Sequence, residues 1–178
     1  MSLLGNLIGY QIVWFIAVIG AARDLAWPGL CAAVVFVVSQ LLVLPQRVLQ
    51  LRLILTGLMC GMVLDGGLAA SGLLHYAAAH PALPPKGAPL WILALWVCFS
   101  LTLTGALGWL RGRPLWAALL GAVGAPLAYL GAARGWDAVR FPQPAWPAEV
   151  VLAAGWAVAM LLWSHLISRA AAPRANVA

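Results

Sequence analysis

Asp65 is the residue whose type and setting point most directly to chemistry. It lies inside a long apolar run, whereas the other acidic residues, Asp24, Asp137 and Glu149, stand where apolar runs end. A carboxylate at the centre of a lipid-facing helix costs about 2.5–3.5 kcal/mol, so Asp65 must face the bundle interior, a water-filled cavity or a partner. Two roles are open to it there. It can handle a proton or a cation, or it can be a hydrogen-bonded link between helices.

Depth along the helices, at about 1.5 Å per residue, indicates what could meet it. Asp65 falls roughly 18 Å from the end nearer the N-terminus, and Gln11, Ser100 and Thr102 fall at roughly 12–15 Å. Asn6, Tyr10 and Trp14 share one face of the first helix. The expected intramembrane polar cluster is therefore Asp65, Gln11, Asn6, Trp14, Ser100, Thr102 and Thr104. Gly57, Gly61 and Ala69 stand at four-residue steps from Asp65, a small-residue face on which helix one or helix four can approach closely. Gly124 and Pro126 are expected to break helix five at similar depth, freeing a carbonyl toward the cluster.

Other constellations fail on geometry. Ser71 and His165 fall near opposite membrane faces, roughly 20 Å apart in depth, too far for proton transfer. His75 and His80 lie in a proline-rich loop at a spacing that does not align two ligands on a helix face. Cys31, Cys60 and Cys98 sit singly in apolar runs as packing residues, and no metal site, cofactor, phosphate loop or second catalytic group accompanies Asp65. An enzymatic role stays open but is not favoured.

Six apolar stretches position these residues, near the length of about 20 needed to cross a bilayer. They cover 3–22, 26–45, 53–74, 90–110, 115–133 and 148–168, and predict an all-α, polytopic transmembrane bundle forming a single domain over 1–168. Residues 169–178 read as a short disordered tail. Composition agrees: 65% of the 178 residues are hydrophobic and 8% charged, too few charges to cover a water-soluble surface. The net charge of +6 is spread as singles and pairs at the ends of runs, without the basic stripe of a nucleic-acid binder. The first run lacks the basic start and cleavage site of a signal peptide, so it is kept as a span.

The Lys/Arg balance orients the bundle. Arg47, Arg52, Arg111, Arg113, Arg169 and Arg174 collect on the side of the N-terminus, against Arg23, Lys86, Arg134 and Arg140 on the other, which predicts both termini in the cytoplasm. Trp27, Trp91, Trp109, Trp116, Trp146 and Trp163 fall near span ends, where interfacial belts form. The loop 134–147, with three prolines, is expected on the membrane surface.

Asn6, Gln11, Trp14-Phe15, the Gly61–Asp65 segment, Pro89–Trp96, Trp109-Leu110 and Gly121–Tyr129 together resemble an uncharacterised bacterial six-helix inner-membrane family, the domain of unknown function 2878. The resemblance covers nearly the whole chain. An Asn-His pair of that family is replaced here by Thr104-Gly105, and a second glycine by Ala125. The resemblance implies a lipid-embedded accessory protein tied to membrane-lipid (fatty-acid) modification or envelope stress, with other membrane proteins or lipid-modifying enzymes as partners. In length, helix count and orientation the chain also resembles the substrate-binding components of energy-coupling-factor transporters, with Ala17-xxx-Ala21 as the docking face. A small-molecule transporter subunit is the alternative.

Overall fold

The computed structural model describes residues 3–171. Its helices are α1 (Leu3–Ala21), α2 (Trp27–Val43), α3 (Arg47–Ala70), α4 (Leu90–Ser100), α5 (Pro114–Trp136) and α6 (Trp146–Ala171). Together they make a nearly all-α bundle. Four of them, α1, α3, α5 and α6, are long and apolar enough to cross a membrane. Helix α2 has 17 residues and α4 only 11.

Local chemistry sets several boundaries. Helices α2 and α5 each begin with proline in the first turn, where a missing N–H leaves no helical bond unmade. Helix α5 then runs unbroken through Gly124 and Pro126, which corrects the expected interruption. Pro126 removes one bond within α5, and the turns on either side carry the helix on. The other correction concerns α4, expected to reach residue 110. It ends at Ser100, and the chain continues through turns to a short 3-10 segment at Gly108–Leu110. The hydroxyls of Ser100 and Thr102 bond the carbonyls three residues back, at 2.7 Å each, and so compete with the helical pattern. Helix α3 starts at Arg47 rather than residue 53 and ends at Ala70 rather than 74, and α6 continues to Ala171, past the expected start of the tail at 169. The rest of that tail, with Arg174, lies outside the described residues.

Helix α4 is central. It packs on α3, α2 and α1, while α6 lies between α3 and α5. Small residues set the close approaches. A Cβ on Gly29 would come 2.8 Å from Ala17, one on Gly121 2.6 Å from the Trp156 carbonyl, and one on Gly155 2.5 Å from Leu64. Ala17 and Ala21 are thus buried inside the protein, with Ala17 against α2, and do not form an outward docking face.

Four two-residue strands cap one end of the bundle. β1 (His75–Tyr76) pairs antiparallel with β4 (Val139–Arg140), and β2 (Ala82–Leu83) with β3 (Ala88–Pro89). Asp24, in the α1–α2 turn, accepts a 3.0 Å bond from the Ala78 amide, and the Ala77 amide donates to the Ala138 carbonyl at 3.0 Å. Three connections are therefore tied together at this end. Trp27, Trp109, Trp116 and Trp146 are more than half exposed, as belt residues would be, but Trp91 and Trp163 are buried. Their indoles donate inward, to the Ala77 and Leu53 carbonyls.

Candidate functional site

Asp65 sits on α3 roughly 8 Å from the helix end nearest the cap, because α3 ends at Ala70, four residues before the end of its apolar run. It is fully buried. None of the side chains expected around it makes contact through a hydrogen bond. Its carboxyl instead receives three donors: the Tyr76 hydroxyl at 2.8 Å on Oδ1, the Trp96 indole at 2.7 Å on Oδ2, and the Tyr129 hydroxyl, also on Oδ1. Trp96 on α4 and Tyr129 on α5 lie roughly 9–10 Å from their own cap-side helix ends, so the three helices meet at one depth. Tyr76 reaches the same point from β1. Burial first, and then the charge of Asp65, push the Tyr76 phenol well above its ordinary value, so it remains a donor near neutral pH.

Of the other expected polar residues, Asn6 and Thr104 belong to a separate layer at the opposite end. Asn6 donates to Gln40 at 2.7 Å and accepts from the Ala106 amide at 3.0 Å. A Cβ on Gly105 would lie 2.6 Å from the Asn6 Oδ1, so glycine is what lets Asn6 reach that amide. Gln50 donates to the Thr104 hydroxyl at 2.9 Å. Ser100 and Thr102 are buried but bond their own helix end. Gln11 is exposed, and Trp14 packs edge-to-face on Trp136 at 5.8 Å.

The small face of α3 meets α4 and α6. Gly57 lies under Trp163 and the Trp96 carbonyl, with 3.0 and 3.2 Å to a would-be Cβ, and Gly61 under the Trp96 indole at 2.7 Å. Ala69 is half-buried. These glycines seat the indole that Asp65 holds.

A cavity of about 350 Å³ runs between α1, α4 and α5, from Leu7 and Leu120 at one end to Val18 and Ala132 toward the cap. Along α1 that is roughly 16 Å. Tyr10, Trp14, Trp96, Phe99, Tyr129 and Trp156 give it aromatic walls, with Gln11 and Thr102 among its few polar groups. Trp96 and Trp156 stack at 4.0 Å, and Phe99 stands edge-on to Trp156 at 5.1 Å. The Trp156 indole N–H is buried close to the Tyr129 hydroxyl. Asp65 stands behind this wall. Two of its three donors, Trp96 and Tyr129, line the cleft, and the carboxylate therefore fixes how their rings present to it.

Sequence reasoning missed Tyr76, Trp96, Tyr129, Gln40 and Gln50. Trp96 and Tyr129 end the Pro89–Trp96 and Gly121–Tyr129 segments that carry the family resemblance, which was the available signal. Tyr76 had none, because it arrives from a loop. Among the described residues no group of three or more His, Cys, Asp or Glu could hold a metal.

The model of one family, described as a protein of unknown function (DUF2878), matches residues 3–162, and the chain belongs to that family. No curated protein and no solved structure matches the chain.

Proposed function

We propose that this member of the family is a multi-pass inner-membrane protein that binds a small lipophilic molecule in the aromatic cleft without transforming it, as an accessory to membrane-lipid metabolism. The cleft carries this reading. Its 350 Å³ lies within the range of small-molecule sites, and apolar walls with a few placed polar groups are what such sites need. A substrate-binding transporter subunit would use the same cleft, but with Ala17 and Ala21 buried it would have to dock through another face.

The cleft itself can be tested with 1-bromooctane, a neutral chain whose heavy atom quenches tryptophan. Titrated into the protein in lipid nanodiscs, it should quench a fraction of the fluorescence saturably. Gly124→Phe should abolish that saturable component while leaving the fold intact. Gly124 lines the cleft, and a Cβ there meets nothing within 4 Å. Quenching that rises linearly in both proteins would reduce the effect to partition into lipid and end the proposal.

Orientation follows the arginine balance. Alkaline phosphatase fused after Ala178 should be inactive, and a cytoplasmic reporter at the same place active. The reverse would mean an odd number of spans or an inverted protein.

A further inference from the structure

We propose that the ligand of the cleft is an organic cation, a quaternary or protonated amine with apolar substituents, seated against Trp156 and Tyr129 with Asp65, behind the cleft wall, as its counter-ion. This rests on the cleft being a binding site and names the class of molecule it takes.

Charge complementarity decides the class. Asp65 is the acidic side chain buried within the described bundle, and its three partners are neutral. No ion pair supplies a compensating positive charge to it among the described residues, and no Lys or Arg lines the cleft. An indole N–H can only donate, so Oδ2 must accept from Trp96, and Oδ1 faces two hydroxyls that can both donate. Three converging donors suit a carboxylate, and a cation bound in the adjoining cleft would favour that charged form.

The walls reinforce the same preference. Trp156 and Tyr129 line the cleft, and such rings attract a cation placed over their faces, more strongly where water is excluded, whereas Trp96, held between Gly61 and Trp156, presents only its edge. An ionised Asp65 would also polarise Tyr129 through their hydrogen bond and so favour a cation against that ring. An anionic headgroup would meet that charge with no cation to receive it. A neutral molecule would fit the volume but leave Asp65 without a role in binding.

The test compares two probes of nearly equal shape, benzyltrimethylammonium and neopentylbenzene, in which carbon replaces the charged nitrogen. Each is titrated against 1-bromooctane on the wild-type protein in nanodiscs, with concentrations corrected for partition into lipid. The cation should displace the quencher with roughly tenfold higher affinity than its isostere. Asp65→Asn should bring the two within about twofold of each other. If the asparagine variant does not fold, Tyr129→Phe, which keeps the ring and cuts its link to the carboxylate, should shrink the preference instead. Equal affinity of the two probes on the wild-type protein, or a preference that survives in a folded Asp65→Asn variant, would overturn the proposal while leaving the cleft as a binding site. Absence of any saturable 1-bromooctane quenching would remove the cleft itself.

Discussion

Asp65→Ala should lower the thermal unfolding midpoint in detergent by a wide margin. The change leaves the Tyr76, Tyr129 and Trp96 donors facing a void, all of them buried. Each orphaned buried donor costs about 1–3 kcal/mol. Hydroxyls can turn toward other acceptors, so the sum should come to roughly 3–6 kcal/mol, a large part of the stability of an ordinary domain. Asp65→Asn should be much milder. Its carbonyl must face Trp96, which cannot accept, and its amide can then donate to either tyrosine oxygen. Tyr76→Phe removes one donor to a charged group and should cost about 1.5–3 kcal/mol. If Asp65→Ala melts within a degree or two of the wild type, the carboxylate is not the junction of α3, α4, α5 and the β1 strand.

Gly61→Leu should prevent recovery of folded, monodisperse protein. A Cβ at this position would lie 2.7 Å from the Trp96 indole, and that ring cannot retreat, being stacked on Trp156 and bonded to Asp65. Overpacking alone costs about 1–3 kcal/mol, and losing the indole bond to the carboxylate adds about 1.5–3 kcal/mol. Gly67→Leu is the matched control on the same helix. Gly67 is exposed, with nothing within 4 Å of a Cβ, and the better helix former should leave the midpoint unchanged or slightly raised. Equal yields from the two variants, read by size-exclusion chromatography after extraction, would show that α3 and α4 do not approach through Gly61.

The two variants probe different parts of one arrangement. Gly61 gives Trp96 its seat, and Asp65 fixes its edge. A loss of saturable quenching in a folded Gly61→Ala variant would therefore report on the cleft wall from a position that does not line it.

The residues that carry the fold were largely readable in the linear chain. Apolar runs of helical length and the arginines and prolines between them are local properties, and they located all six helices. Boundaries drifted where hydropathy is a poor guide. Arg47, Gln50 and Arg52 belong to α3 although they lower its apolarity, and residues 101–107 leave α4 although they maintain it. The first error displaced Asp65 in depth, and the second kept Thr102 and Thr104 on a continued helix near its level when they stand in the turns beyond α4.

What the sequence alone determined is that a carboxylate inside an apolar helix, with glycines at four-residue steps, must be buried against other helices: hydrocarbon offers it no solvation, and small residues allow backbones to meet. Which groups surround it was decided only by tertiary structure. Tyr76 comes from a strand 11 positions on, Trp96 from 31 and Tyr129 from 64. Phenol and indole are amphipathic, so along the chain they read as apolar bulk or as interfacial belt, and nothing local distinguishes a ring that packs from one that donates. The packing of α4 and α5 on α3, and the cap that brings β1 over them, turned those rings toward one carboxylate and left their other surfaces to line a cleft.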